Sequence, residues 1–166
     1  MRIGTVLVGA MIASSLPAGP ASAHDHAPTD AVLETKRDHR QGIRIASCWI
    51  RGTESGGAAL CTQEKTSFPE AIEAPAGAAE VVFKTRREPA RVRLRAYRRL
   101  RADGEPQRPA KRLEVVPEPT PKGWLLAFEL PIRHPTWFLE VKGVWPDANF
   151  PESEQFAVWT FALEIP

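Results

Sequence analysis

The residues best placed to do chemistry stand close to the beginning of the chain, at His24-Asp25-His26. With residues 1–23 removed, His24 would carry a free α-amine. That amine, two following backbone nitrogens and the His26 imidazole can surround Cu(II) or Ni(II) in a square plane, the geometry these ions prefer. His24 could alternatively chelate through its own amine and imidazole. Neither site needs a fold, only a deprotonated amine and no proline at the second or third position, which Asp25 and His26 satisfy. The plainer reading is a polar tail with incidental histidines.

The second constellation is a row of arginines. Arg91, Arg93, Arg95, Arg99 and Arg101 share one parity, with Arg86, Arg87, Arg108, Lys111 and Arg112 flanking them. Residues 84–112 hold 12 basic and 3 acidic side chains in a chain of net charge +2. Guanidinium groups in a row suit bidentate contacts to phosphate or carboxylate, so an anionic envelope polymer or an envelope protein is the expected partner. Against this stands composition, because the chain carries 16 Arg to 6 Lys. Charge on a strand also serves simply to block aggregation. Nucleic acid is not expected as a partner, since Tyr97 is the one aromatic interleaved with these arginines and stacking platforms need more.

Weaker candidates follow. Trp145, in the loop Trp145-Pro146-Asp147-Ala148-Asn149-Phe150, could offer an exposed indole face to a sugar, with Phe138 pointing opposite Trp137. Asp147, Asn149, Glu152 and Glu154 could surround calcium, although the run lacks the glycine and spacing of a calcium loop. His39 and His134 have no nucleophile elbow or paired histidine nearby, so no catalytic residue is assigned and an enzyme is not expected.

The elements around these residues begin with an address. Arg2, the apolar stretch Ile3 to Ala13 and the small-x-small run Ala21-Ser22-Ala23 predict a signal peptide over 1–23. The mature chain is thus expected to be secreted, extracellular or periplasmic. No later segment approaches the roughly 18 to 20 apolar residues of a spanning helix, so no membrane span is expected after cleavage. Residues 24–41 read as a flexible polar tail that adds at most one edge strand, and 42–166 as a single β-sandwich domain.

An even cysteine count in an exported chain predicts a disulfide between Cys48 and Cys61. Strands at 43–51 and 58–63 around the turn Gly52-Thr53-Glu54-Ser55-Gly56-Gly57, with Arg51 opposite Ala58, set the two cysteines face to face. Directly opposed antiparallel residues lie within disulfide reach.

Short β-branched and aromatic segments separated by Pro and Gly clusters predict an all-β antiparallel sandwich of about seven to nine strands. The strands fall near 43–51, 58–62, 79–86, 91–101, 111–116, 123–130, 136–145 and 155–165. Alternation fixes their faces. Val92, Leu94, Ala96 and Leu100 point inward, with Arg98 the one charge on that side. Trp124, Leu126, Phe128 and Leu130 share a face. So do Trp137, Leu139 and Val141, and so do Trp159, Phe161, Leu163 and Ile165.

The run Ala46-Ser47-Cys48-Trp49, then Cys61, Phe68-Pro69-Glu70-Ala71-Ile72, Gly77, Val81-Val82-Phe83, Pro89 and Val92-Arg93-Leu94 resembles a set of small, functionally unassigned bacterial secreted proteins and lipoproteins. The resemblance implies an immunoglobulin-like sandwich in the cell envelope, over residues 43–165. Where the lipoproteins carry their lipid on a cysteine at the cleavage point, this chain has His24. The bridge of true immunoglobulin domains joins the two sheets, and Cys48 and Cys61 are too close in sequence for that.

Overall fold

The computed structural model describes residues 30–53, 56–85, 87–146 and 154–166. They form twelve strands and no helix, arranged as two sheets. The five-stranded sheet runs β2 (His39–Gln41), β1 (Ala31–Glu34), β6 (Ala78–Phe83), β10 (Gly123–Glu129), β9 (Glu118–Thr120). The seven-stranded sheet runs β4 (Gly56–Gln63), β3 (Ile43–Thr53), β12 (Glu154–Glu164), β11 (Thr136–Pro146), β7 (Arg91–Tyr97), β8 (Lys111–Leu113). Within it β5 (Ile72–Glu73) pairs with β12, the one parallel pairing among the described residues. No described helix is long and apolar enough to cross a membrane.

The inward faces read from alternation meet between the sheets. Leu33, Val81, Phe83, Leu126 and Phe128 from one side pack with Leu94, Trp137, Leu139, Val141, Trp159, Phe161 and Leu163 from the other. The centre is aromatic: the Phe83 ring lies 5.2 Å from Trp159 and 5.5 Å from Trp145, and Trp145 lies 5.9 Å from Trp49. Offset and edge-on contacts at these spacings are the favourable ones for π systems. Trp145 reaches this cluster because Gly143, two residues earlier on the same face of β11, has no side chain; a Cβ there would sit 2.3 Å from the indole.

Cys48 stands opposite Cys61 in the β3–β4 ladder, with Arg51 opposite Ala58. The two cysteines form a disulfide, with Cα atoms 4.0 Å apart.

The observed fold departs from the expected one in three ways. The segment 24–41 is not all tail: Ala31, Val32 and Leu33 are buried, and β1 lies inside the sheet between β2 and β6. This short apolar run forms the one strand expected there, but it pairs on both sides, Val32 with Val82 of β6 and with Gln41 of β2, and so lies inside the sheet instead of at its edge. The described residues form twelve strands rather than about seven to nine; β1, β2, β5 and β9 are the additional ones, each four residues or fewer, too short to show a period. Finally, β7 stops at Tyr97 instead of running to 101.

Candidate functional site: a basic cleft beside the β7–β8 connection

Because β7 ends at Tyr97, the arginines beyond it leave the sheet. The chain turns back on itself: Arg101 donates its N–H to the Glu105 carbonyl at 2.8 Å and Gln107 to that of Arg99 at 2.9 Å. Leu100 bridges Pro106 across this small arm. Asp103 Oδ1 accepts the Glu105 N–H at 3.0 Å, and Gly104, at φ 84°, supplies the left-handed residue the tip requires. The arm then passes Arg108-Pro109-Ala110 into β8.

The arm and the segment His134–Trp137 enclose a cavity of about 660 Å³. Its charged lining is Arg98, Arg99, Arg108 and Lys111, with His134 opposite and no carboxylate among the lining residues. The floor is rigid. Trp137 is fully buried and donates its indole N–H to the Pro131 carbonyl at 3.4 Å. Above it, the Arg98 guanidinium lies 5.7 Å from the ring centre and the His134 ring stands edge-on at 5.4 Å. The cation–π contact holds Arg98 at the cleft at little cost to its charge.

A second cavity, of about 410 Å³, lies on the outward side of β7 and shares Arg108 with the first. Arg95, Tyr97 and Arg101 line it together with Glu105 and Glu140. Here cations meet carboxylates: Arg95 pairs with Glu140 at 3.3 Å, and Arg101 with Asp103 at 3.4 Å. Tyr97 has the parity of the arginines yet is only 5% exposed. The coil after β4 crosses this face, with Phe68 edge-on to Phe138 at 5.2 Å and Phe138 the cross-strand neighbour of Tyr97. Burial pushes the Tyr97 hydroxyl above the ordinary phenol range, and Glu140 adds to the rise; Arg95 and Arg108 oppose it.

The row of five arginines read from the sequence is therefore divided. Arg91, Arg93 and Arg95 stay on β7, where Arg91 pairs with Glu154, Arg95 with Glu140, and Arg93 faces Lys142 across the ladder. Arg99 enters the large cleft and Arg101 the smaller cavity. Alternation continued past Tyr97 still groups Arg101 with Arg95, at the smaller cavity on the outward side of β7, and fails for Arg99, because the arm leaves the sheet. Arg98 and His134 were not read as site residues. The available signal was Arg98 itself, a charge at an apolar position, which marks the strand's end.

The remaining candidates separate cleanly. Trp145 is not an exposed sugar platform: it is fully buried, and its indole N–H donates to the Arg87 carbonyl at 3.2 Å. Phe138 is half-buried against Phe68. His24 and His26 lie outside the described residues, as do Asp147, Asn149 and Glu152 of the acidic run. Among the described residues no group of three or more His, Cys, Asp or Glu side chains could hold a metal ion.

Fold and site together define an all-β sandwich with a cation-lined cleft at the margin of its larger sheet. Comparison with protein-family models, with curated proteins and with solved structures finds no match to this chain.

Proposed function

We propose that this chain is an exported, non-catalytic binding module of the cell envelope or extracellular space, an immunoglobulin-like sandwich whose basic cleft takes the anionic groups of an envelope polymer. One observation carries the reading: four cations line this cleft and no carboxylate among its lining residues offsets them. On the same sheet Arg91 and Arg95 are matched to Glu154 and Glu140, whereas no acidic side chain lines the cleft. The signal-like leader and the disulfide support export. The guanidinium and ammonium donors of the cleft bind anions without exchanging protons near neutral pH, which suits recognition.

The test is titration calorimetry with polyphosphate, polygalacturonate and neutral dextran at about 0.15 M salt, where long-range attraction is screened. An anionic polymer binds and dextran does not. Removing two cleft cations, Arg99→Ala with Arg108→Ala, costs about tenfold to several hundredfold in affinity, the loss of charge-assisted hydrogen bonds. The matched control Arg91→Ala with Arg93→Ala removes the same charge from the sheet face and costs less than about threefold. Equal losses in the two variants would reduce the interaction to a nonspecific field and overturn the cleft as its site.

A further inference from the structure

The ends of the two sheets are treated very differently. Three of the four are short and guarded: β2 is His39–Gln41 and contains Arg40, β9 is Glu118–Thr120 and contains Pro119, and β8 is Lys111–Leu113 with two consecutive cations. These are ordinary devices against strand-to-strand association. The fourth, β4, is eight residues long, Gly-Gly-Ala-Ala-Leu-Cys-Thr-Gln, with no charge and no proline. Ala58 through Gln63 are all exposed, and Leu60 keeps 56% of its surface in solvent.

The register states which backbone groups this edge offers. Cys48 and Cys61 oppose one another with Cα atoms 4.0 Å apart, the close spacing of a pair that exchanges no ladder hydrogen bonds. The Glu64 N–H, three residues on, donates inward to the Ile45 carbonyl at 2.7 Å. Even-numbered residues of β4 therefore bond to β3, while Gly57, Ala59, Cys61 and Gln63 turn their N–H and C=O groups outward.

We infer that β4 is a self-pairing edge, and that its occupant is the β4 strand of a second copy of this chain, antiparallel about a two-fold axis at Leu60. In that register Gly57 meets Gln63 of the second copy and Ala59 meets Cys61, so each of the four outward-facing residues finds a bonding partner. The two Leu60 side chains become cross-strand neighbours, and small or uncharged residues fill every other pair. Charge selects the same arrangement. An isologous contact doubles whatever charge its edge carries, so β8, with Lys111 and Arg112, repels its own copy whereas β4 does not. The axis falls on Leu60, the middle of the outward-facing set Gly57 to Gln63 and the strand's one large exposed apolar side chain.

Sedimentation velocity on the disulfide-bonded chain tests this, with two variants. Ala59→Pro removes an outward N–H and leaves the β3–β4 ladder intact; Leu60→Lys sets two ammonium groups against each other at the axis. The parent sediments as a dimer at tens of micromolar, and each variant shifts dissociation by about tenfold or more. In the parent, amides of Ala59 and Cys61 exchange slowly at high concentration and rapidly on dilution, a measurement that needs no substitution. A parent that stays monomeric at about 100 µM overturns the inference. So do dimers that persist in both variants, open-ended oligomers, or exchange at Ala59 and Cys61 that is independent of concentration.

Discussion

Adding one methyl group at Gly143 should cost the fold dearly. An alanine Cβ would stand 2.3 Å from Cη2 and 2.7 Å from Cζ3 of the Trp145 indole, more than an ångström inside ordinary contact. The indole has nowhere to retreat. Its N–H is held by the Arg87 carbonyl, and its faces and edges meet Trp49, Phe83 and Trp159 at centroid distances of 5.9, 5.5 and 6.2 Å. Overpacking of a filled core costs about 1–3 kcal/mol. For a chain of this size, about 2 kcal/mol lowers the melting temperature by roughly 4–8 °C. Urea denaturation of Gly143→Ala beside the parent measures the loss. Repeating it in a Trp145→Leu background isolates the cause: with the ring gone, the same alanine should cost less than about 0.5 kcal/mol, a coupling well outside additivity. A Gly143→Ala protein as stable as the parent, or costs that simply add, would refute the placement of Trp145 in the core. The chain would then regain the exposed indole that a sugar platform needs.

Replacing both Cys48 and Cys61 by serine opens a loop of sequence separation 13 and should lower stability by about 3 kcal/mol, read in the same urea experiment; an unchanged midpoint would show that the bridge is not what holds β4 to β3. Tyr97 is the chain's one tyrosine, so phenolate absorbance reports it alone. Its folded pKa is raised by burial first and Glu140 second, so the folded protein should titrate at higher pH than the urea-unfolded chain, with coincident midpoints the refuting result. By linkage, the stability Tyr97 contributes is complete below the unfolded value of about 10 and is lost as pH rises through the folded one; Tyr97→Phe should flatten that alkaline loss.

Alternation alone assigns the buried faces of β10, β11 and β12, because a pleated strand sends every second side chain to the same side wherever its neighbours lie. The opposition of Cys48 and Cys61 is equally local, following from one hairpin and its short connection. What the chain does not declare is which distant segments meet. Leu33 reads as part of a short apolar run fit for one edge strand until pairing with Val81 sets it inside the sheet, and Trp145 reads as a loop residue until Gly143 lets its ring lie against Phe83 and Trp159. The cleft is of the same kind. Arg98, Arg108, Lys111 and His134 come together only because β7 breaks at Tyr97 and its following arm folds back beside the entry to β11. A two-residue period specifies the side of a sheet a residue occupies, and says nothing of the strand next to it. Neighbours are chosen by burying the most apolar surface for the whole chain at once, and in this protein that choice decided where the unmatched positive charge would gather.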